Sequence, residues 1–563
     1  MNEAVITGRL PRSRISDLIT ASLPTVSEAS FVTGSALLTI LSFPDFDLWF
    51  LAWISVAPLL IVVTQAINSR RAVVAGWVWG TIFFYGTCWW LTYPMIHYAA
   101  FPAALAYVLL LLPVMFVALF PAVFCALLCR LTRRFGTAAV LLSPVVWVSF
   151  EWLRYVVTGQ LWNAIGYSQA FHPPLIQSAR LGGVYAISFL IIAANAAVAF
   201  VWIKRSAKSV LIGCAVFTVI TVSVGGSYRS RESNSQGTAT LGPPVLRPDL
   251  AVIAVQPNVP METVDDPTER HLLETHLALT AQGLNRWRLD GAIDNGLYLG
   301  PNSDLVKKGA AQTRSAIPTL VVWPESPMSF SYSRDPHLRQ VVGDLAGESH
   351  ASILLNSLEP GAHGGDQNSA VMVNEKGEMS ARYDKIRLMP FGEYVPLPRW
   401  LPGASSVRAI VGEFTPGSSY TLMPLGALRA GVFICIEAAH PGIARNFTNA
   451  GADVLINISN DGYLGPTPVM RQHLSNAVFR AVENNRDLLR VTNTGITAFI
   501  SAEGTVSDQT TGFQEAVRTW TISKSGGGTT FYTRHGDLLV YNCALLSLGF
   551  VAASFMKRRV SEA

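Results

Sequence analysis

The sequence predicts an α+β multidomain membrane protein, in which a polytopic α-helical membrane domain is followed by a layered α/β domain. Of the 563 residues, 50% are hydrophobic and only 14% are charged, whereas soluble domains carry about 25% charged residues. Before position 226, most apolar residues lie in runs long enough to cross a bilayer. From 249 to 536, strand-like runs alternate with helical patterns, which is typical of an α/β domain.

The apolar runs define the membrane domain and its expected topology. Seven runs precede the polar region and one follows it, at about 31–46, 48–66, 72–92, 103–130, 136–157, 181–203, 209–225 and 538–555. With this count, the basic clusters all fall on one side of the membrane, at Arg9–Arg14, Arg70–Arg71, Arg130–Arg134, Lys204–Lys208 and Lys557–Arg559. The positive-inside rule then puts both termini in the cytoplasm and the polar domain on the outer face.

Domain boundaries follow from these shifts in composition. Residues 226–248 are rich in Ser, Gly, Thr and Pro and are predicted to be a linker. Residues 283–315 lack a clear period and are expected to form an inserted loop. We predict an N-terminal cytoplasmic segment 1–30, a seven-span membrane domain 31–225, the linker 226–248, a catalytic domain 249–536, a C-terminal membrane helix 537–556 and a cytoplasmic tail 557–563.

Glu151 and Arg154, at the end of the fifth apolar run, are unusual for a membrane segment. They are three residues apart, so they share one face of a helix and can pair. One interpretation is a helix anchor at the interface. The other is a wall of a lipid-entry site, because charges within a membrane usually serve function.

Several classes of function have no support in the sequence. The six cysteines form neither a paired framework nor a metal-binding spacing. No nucleotide or metal motif occurs, so we expect no cofactor and no metal. The basic residues mark topology, so we expect no nucleic-acid partner. A transporter is disfavoured because the spans show no internal repeat.

Candidate chemistry lies in three stretches of the polar domain. Glu325 ends the run TLVVWPE, Lys385 follows the run ARYD, and Cys435 follows GVFI. Each residue alone has an ordinary structural interpretation: Glu325 as a solvated or paired acid, Lys385 as a solvated lysine, and Cys435 as a buried structural thiol. A glutamate, a lysine and a cysteine, each at or near the end of a strand in one domain, form a far more specific set. Two further acids, Glu393 and Glu437, lie close by in sequence.

These residues resemble the Glu-Lys-Cys triad of the nitrilase superfamily, in type and in their spacing of 60 and then 50 residues. The stretches WPES, DKIRLMPFGEYVP, SNDGYLG and TNTGITA, together with EWLRYVVTGQLWNAIGYSQ in the membrane domain, resemble the apolipoprotein N-acyltransferase family. The resemblance implies a nitrilase-like α/β/β/α sandwich. It also implies Cys435 as nucleophile, Glu325 as general base, and Lys385 together with a backbone amide after Cys435 as oxyanion donors.

For the supporting acids, the resemblance implies that Glu393 orients or balances Lys385. Glu437 would position the surroundings of Cys435 or assist the incoming amine. The implied site has two departures from the family pattern. Ile436 follows the cysteine where an aromatic residue is expected, and the Lys-Trp pair usually found after Gln256-Pro257-Asn258 is missing.

The activity implied by the resemblance is transfer of an acyl chain from a membrane phospholipid to an apolipoprotein through a Cys435 thioester. The acceptor would be the α-amine of the S-diacylglyceryl-cysteine, and the products a triacylated lipoprotein and a lysophospholipid. The protein would be a monomer in the bacterial inner membrane. Residues 396–402 are either a lid that dips into lipid or an ordinary surface loop. The alternatives for function are a membrane-tethered amidase or nitrilase, and a non-catalytic envelope scaffold.

Overall fold

The computed structural model describes residues 22–44, 46–236, 249–261, 266–294, 317–325, 327, 330–361, 364–395, 400, 413–524 and 528–556. The described chain forms two compact units. One comprises 22–168, 185–223 and 539–556, and the other comprises 169–184 and 224–538.

The longer helices are, in chain order, α1 (Val26–Leu41), α2 (Ala57–Gln65), α3 (Ser69–Cys88), α4 (Ala103–Val117), α5 (Leu119–Phe135), α6 (Ser143–Thr158), α7 (Val184–Lys204), α8 (Ala207–Gln236), α9 (Asp266–Asp294), α10 (Pro336–Ser349), α11 (Pro441–Asn449), α12 (Val469–Asn484) and α13 (Leu538–Phe555). Shorter helical segments lie at Trp49–Leu51, Ala52–Ser55, Trp89–Leu91, Thr92–His97, Thr137–Leu142, Ile165–Gln169, Pro173–Ile176, Ala179–Gly182 and Phe531–His535.

Within the described residues, six helical segments are long and apolar enough to cross a membrane: Ser69–His97, Ala103–Phe135, Thr137–Thr158, Val184–Lys204, Ala207–Gly225 and Leu538–Phe555. Two shorter apolar helices, Val26–Leu41 and Trp49–Gln65, precede them. All eight overlap the apolar runs in the sequence. The orientation of these segments across a membrane remains a prediction.

The helix α1 begins at Val26, within the segment predicted to precede the membrane domain. Thr25 caps it, because the Thr25 Oγ1 accepts a hydrogen bond from the Glu28 backbone N–H at 3.3 Å. The Glu28 Oε2 in turn accepts from the Thr25 backbone N–H at 2.7 Å. This is a capping box, and its signature, Thr-x-x-Glu before an apolar run, is visible in the sequence.

The helix α8 extends to Gln236, ten residues beyond the predicted start of the linker at 226. The sequence from 226 to 236 is polar but contains no proline. An established helix adds residues at low cost, so it continues until a breaker appears. Residues 237–248, which include Pro243 and Pro244, lie outside the described part of the chain.

Glu151 and Arg154 are both buried in the first unit, and each bonds to backbone of the segment that follows α6. The Glu151 Oε1 accepts from the Ile165 N–H at 2.9 Å, and the Arg154 Nη1 donates to the Trp162 carbonyl at 2.7 Å. The Arg154 guanidinium also lies 5.3 Å from the ring centre of Phe84. These contacts favour the helix-anchor interpretation.

The second unit contains twelve described strands: β1 (Leu250–Gln256), β2 (Thr319–Val322), β3 (Ser352–Pro360), β4 (Asp366–Val373), β5 (Met379–Asp384), β6 (Leu422–Leu425), β7 (Leu428–Ile434), β8 (Val454–Ser459), β9 (Leu488–Thr492), β10 (Ala498–Ile500), β11 (Val506–Ser507) and β12 (Ala516–Ile522). They form two six-stranded mixed sheets, ordered β12-β1-β2-β3-β4-β5 and β11-β10-β9-β8-β7-β6.

Each sheet has a parallel centre with antiparallel edges. The strands β1, β2 and β3 pair in parallel in the first sheet, as do β7, β8 and β9 in the second. Every residue of β1, β8 and β9 is buried, as expected for parallel strands covered on both faces. The helices α9 and α10 contact the first sheet, α11 and α12 contact the second, and the sheets contact each other, which gives α/β/β/α layering.

The predicted inserted loop at 283–315 is wrong in its first part, because α9 continues to Asp294. Leu284 and Trp287 lie three residues apart and are 7% and 6% exposed, so they form the buried face of the helix. Both residues lie in the helical pattern that the sequence predicts at 267–288, so only the continuation of α9 to Asp294 was not expected. Residues 295–316 lie outside the described residues.

The segment 169–184 belongs to the α/β unit, although the sequence put it in the membrane domain, as part of the loop 158–180 and the start of the apolar run 181–203. The Gln177 Nε2 donates to the Glu503 carbonyl at 2.9 Å, and the Arg180 Nη2 donates to the Ala502 carbonyl at 2.9 Å. The Val184 N–H donates to the buried Glu483 carboxylate at 2.9 Å. The α/β unit is therefore assembled from two separate parts of the chain.

Candidate active site

Cys435 lies at the carboxyl end of β7, where the chain leaves the sheet. Its φ is +52°, in the left-handed region, which costs a non-glycine residue roughly 1–2 kcal/mol. A short 3₁₀ turn, Cys435–Ala439, follows directly. A strained turn at the end of a parallel strand lifts the side chain out of the sheet, and the thiol is partly accessible.

Lys385 directly follows β5 and lies between two carboxylates. Its Nζ is 3.2 Å from the Glu325 Oε1 and 2.9 Å from the Glu393 Oε1, and the residue is 1% exposed. Burial by itself disfavours the ammonium. The two carboxylates outweigh burial and raise the pKa of Lys385 well above its usual value. The lysine is therefore a permanent positive charge in the site.

Asn368, on β4, also bridges the carboxylates of Glu325 and Glu393. Its Nδ2 donates to the Glu325 Oε1 at 2.9 Å and to the Glu393 Oε1 at 2.7 Å. The second Glu325 oxygen accepts from the Asn460 backbone N–H at 3.1 Å. The second Glu393 oxygen accepts from the Met389 backbone N–H at 2.7 Å. Both carboxylates are thereby held in fixed orientations.

The electrostatic surroundings of Cys435 keep it a thiol. Burial raises its pKa above the usual value, the Glu325 carboxylate raises it further, and Lys385 opposes both. The thiol thus lies within the electrostatic influence of both other predicted triad members. Because the free thiolate is disfavoured, the cysteine needs a base to take its proton as it reacts.

Glu437 is fully buried, and its carboxylate accepts four hydrogen bonds. The Oε1 accepts from the Tyr383 hydroxyl at 2.8 Å and from the backbone N–H groups of Ile386 and Arg387 at 2.8 and 3.0 Å. The Oε2 accepts from the Ile434 N–H at 2.8 Å. Burial raises the pKa of this carboxyl. Through these hydrogen bonds, the Glu437 carboxylate links the segment after β5 to the end of β7, the strand that Cys435 follows.

Two family models match the chain, apolipoprotein N-acyltransferase N-terminal domain over residues 35–197 and carbon-nitrogen hydrolase over residues 302–530. The apolipoprotein N-acyltransferase of Geobacter metallireducens is 31% identical over 533 residues, covering 93% of this chain and 95% of that protein. The chain belongs to the apolipoprotein N-acyltransferase family. The family member from Allorhizobium ampelinum is 31% identical over 450 residues, covering 78% of this chain and 77% of that protein.

Among solved structures, the chain is similar to an amidase from Nesterenkonia sp., with 15% identity, a TM-score of 0.33, and coverage of 53% of this chain and 98% of that one. The carbon-nitrogen hydrolase match and the two mixed sheets confirm the predicted fold class, apolar membrane helices combined with a nitrilase-like domain. Family membership makes the protein an acyltransferase enzyme associated with a membrane.

Behind Cys435, its carbonyl oxygen joins a buried polar network. The His473 Nε2 lies 3.0 Å from this oxygen, and the His473 Nδ1 lies 2.9 Å from the Asp461 Oδ1. Arg490 contacts both Asp461 oxygens through its Nη2, at 3.1 and 2.9 Å. Burial disfavours the Asp461 carboxylate, but Arg490 and His473 outweigh burial and lower its pKa. All three residues are at most 3% exposed.

The structure brings together Glu325, Lys385 and Glu393 by direct contact, and Cys435 and Glu437 at the adjoining turn. Ile436, which replaces an expected aromatic residue, is 5% exposed. The predicted lid at 396–402 lies outside the described residues except for Trp400, which is 80% exposed. In the part of the chain that the structure describes, no cluster of His, Cys, Asp or Glu could hold a metal ion.

Sequence reasoning gave no role to Asn368, Asn460, Asp461 or His473. Asn460 and Asp461 lie in SNDGYLG, a stretch that marked the family but suggested no role for either residue. Asn368 meets the site because β4 pairs with β5, with Ser369 opposite Asp384. No local sequence pattern indicates which residues of neighbouring strands will lie side by side.

Proposed function

We propose that this protein transfers an acyl chain from a membrane phospholipid to the α-amino group of a diacylated apolipoprotein through a Cys435 thioester. The proposal is supported by the contact of Lys385 with Glu325 and by a strained Cys435 that both residues influence electrostatically, in a member of the apolipoprotein N-acyltransferase family. The catalytic domain, residues 249–536, would face the outer side of a bacterial inner membrane, as the basic clusters predict.

In the first half-reaction, Glu325 takes the thiol proton while the Cys435 sulfur attacks the ester carbonyl carbon of the phospholipid. The carbonyl oxygen becomes an oxyanion. As the carbonyl re-forms, the ester C–O bond breaks and the leaving oxygen takes the proton from Glu325. A lysophospholipid departs, and the acyl chain stays on Cys435 as a thioester.

In the second half-reaction, the free amine of the lipid-modified cysteine attacks the thioester carbonyl. Glu325 accepts a proton from the amine, the C–S bond breaks, and that proton returns to the Cys435 sulfur. The product is an amide, and the enzyme regains its starting state. One glutamate can serve both halves because each half returns the proton that it removes.

Lys385 would stabilise the oxyanion in both halves. Its position supports this role, since two carboxylates and a buried setting keep it charged. An electrostatic donor that is already oriented needs no reorganisation during the reaction, and losing one such donor typically lowers the rate by about 10²–10³-fold. Glu393 and Asn368 would hold the lysine in place. Glu437 would fix the distance between the lysine segment and the nucleophile.

Intact-protein mass spectrometry tests the proposal. Purified protein is incubated with a phospholipid of known acyl chains and then given a diacylated lipopeptide with a free N-terminal amine. We expect one acyl-sized adduct that hydroxylamine removes and that the lipopeptide accepts. Cys435→Ser should carry no thioester. Cys214→Ser, which removes an exposed thiol in the membrane helix α8, is the matched control and should behave as the wild type.

The same experiment separates the alternatives. An adduct that decays equally fast with and without lipopeptide indicates a hydrolase of the amidase or nitrilase type. The absence of any adduct on folded protein indicates a non-catalytic scaffold. Either result would refute the transferase proposal.

A further inference from the structure

The carbonyl oxygen of Cys435 is held by two side chains from behind the site. The His473 Nε2 approaches it at 3.0 Å, and the Asn457 Nδ2 approaches it at 3.5 Å. Both side chains are anchored by the same residue, Arg490. It bonds to the Asn457 Oδ1 at 2.5 Å, and it pairs with Asp461, which in turn contacts His473. Two branches of one buried network therefore end on a single carbonyl.

The acceptors around His473 fix the positions of its protons. A backbone carbonyl can only accept, so the Nε2 must carry a proton. Asp461 contacts the Nδ1 at 2.9 Å and is itself fixed by Arg490, so it holds the imidazole ring in one orientation. Burial and Arg490 lower the pKa of His473, and the Asp461 carboxylate opposes them. The ring orientation set by Asp461 places the Nε2 at hydrogen-bond distance from the Cys435 carbonyl.

The orientation of this carbonyl decides where the next amide points. The Cys435 C=O and the Ile436 N–H belong to one planar peptide group, in which they point in opposite directions. Ile436 is the second residue of the 3₁₀ turn that begins at Cys435, so its N–H has no acceptor within the turn. Fixing the carbonyl from behind therefore aims the N–H forward, away from the network.

We propose that His473, held by Asp461, is a positioning residue that fixes the Cys435–Ile436 peptide so that the Ile436 N–H donates to the oxyanion formed on Cys435. The proposal rests on the proposed function only in requiring a tetrahedral intermediate at this cysteine.

This arrangement also accounts for the strained backbone. Cys435 keeps a φ of +52° without being glycine, and such strain persists only where surrounding contacts enforce it. The two donors on its carbonyl supply that enforcement. They also polarise the peptide group, which strengthens its N–H as a hydrogen-bond donor.

Two substitutions at one position separate the two contacts of the histidine. In His473→Gln, the amide nitrogen reaches the former position of the Nε2, so a donor to Cys435 remains. In His473→Asn, the amide nitrogen reaches only the position of the Nδ1, so the link to Asp461 remains and the donor to Cys435 is lost. Both variants are polar, uncharged and close in size, so they are matched controls for each other.

Two reactions of the purified full-length variants are measured. Acylation of Cys435 by a p-nitrophenyl ester passes through a tetrahedral oxyanion. Alkylation of Cys435 by iodoacetamide does not, so it reports thiol reactivity and an intact site. We expect His473→Asn to lower the acylation rate by about 100-fold relative to His473→Gln, as for loss of one oxyanion donor. The two variants should alkylate at rates within about threefold of each other.

Equal acylation rates in the two variants, or a fall in alkylation that parallels the fall in acylation, would overturn the proposal. If His473→Asn fails to fold, Asn457→Asp tests the second branch. It keeps the acceptor for Arg490 and removes the N–H that faces Cys435, and it should also lower acylation selectively. Because the ester probe needs neither phospholipid nor lipopeptide, a wild type that accepts the ester but not phospholipid refutes the proposed function and leaves this test intact.

Discussion

The substitution Glu437→Gln tests whether the buried carboxylate holds the two halves of the site together. The amide oxygen of glutamine can keep the three donors now on the Oε1. Its NH₂ group then faces the Ile434 N–H, 2.8 Å from the present Oε2, so two donors oppose each other. One buried unsatisfied donor costs about 1–3 kcal/mol, and the three remaining bonds lose their charge assistance. The neutral amide of glutamine avoids the cost of burying a charge, which offsets part of this loss of stability.

The net loss in the free energy of unfolding is about 2–3 kcal/mol, which lowers the apparent Tm by about 4–12 °C for a domain of this size. Acylation should fall further than stability alone explains, because a 1 Å misplacement of Lys385 can lower the rate by about 100-fold. The assays are thermal unfolding in detergent and the rate of thioester formation at a temperature where both proteins are folded.

Tyr383→Phe is the matched control, because it removes one of the same four donors and leaves the carboxylate. It should lower the free energy of unfolding by only about 1 kcal/mol and keep most of the acylation rate. Glu437→Gln could instead show the Tm and acylation rate of the wild type, or those of Tyr383→Phe. Either result would show that the Glu437 carboxylate does not hold the segment after β5 to the end of β7.

Three further outcomes follow from the site. Lys385→Met should lower thioester formation by about 100-fold or more, measured by mass spectrometry, and a rate near the wild type would exclude it as the oxyanion donor. Because the pKa of Cys435 is raised, its alkylation by iodoacetamide should keep rising from pH 7 to 10, and a plateau near pH 8.5 would contradict this. Gly495→Ala should destabilise the domain and slow acylation, because the new Cβ would overlap the Asp461 Oδ2, which Arg490 and His473 hold in place. Unchanged thermal unfolding and an unchanged acylation rate would show that the site can adjust.

The sequence predicted the membrane segments well because a bilayer imposes length and apolarity on consecutive residues. It also predicted the three strand-end residues, since each follows an apolar run that is visible locally. It predicted a helical pattern only to 288 and an inserted loop from 283, whereas α9 continues to Asp294. It also failed to assign segment 169–184, whose contacts with Glu503 and Ala502 join residues more than 300 positions apart.

The sequence by itself determined the candidate site residues and the two-part plan, since both depend on residue type and local pattern. Only the tertiary structure decided how those groups are held. Lys385 lies between two acids, Glu437 ties two strand ends, and the carbonyl of Cys435 is fixed from behind by His473. Hydrogen bonds act over about 3 Å, and the packing of strand ends from both sheets, together with α12, is what brings these groups within that distance.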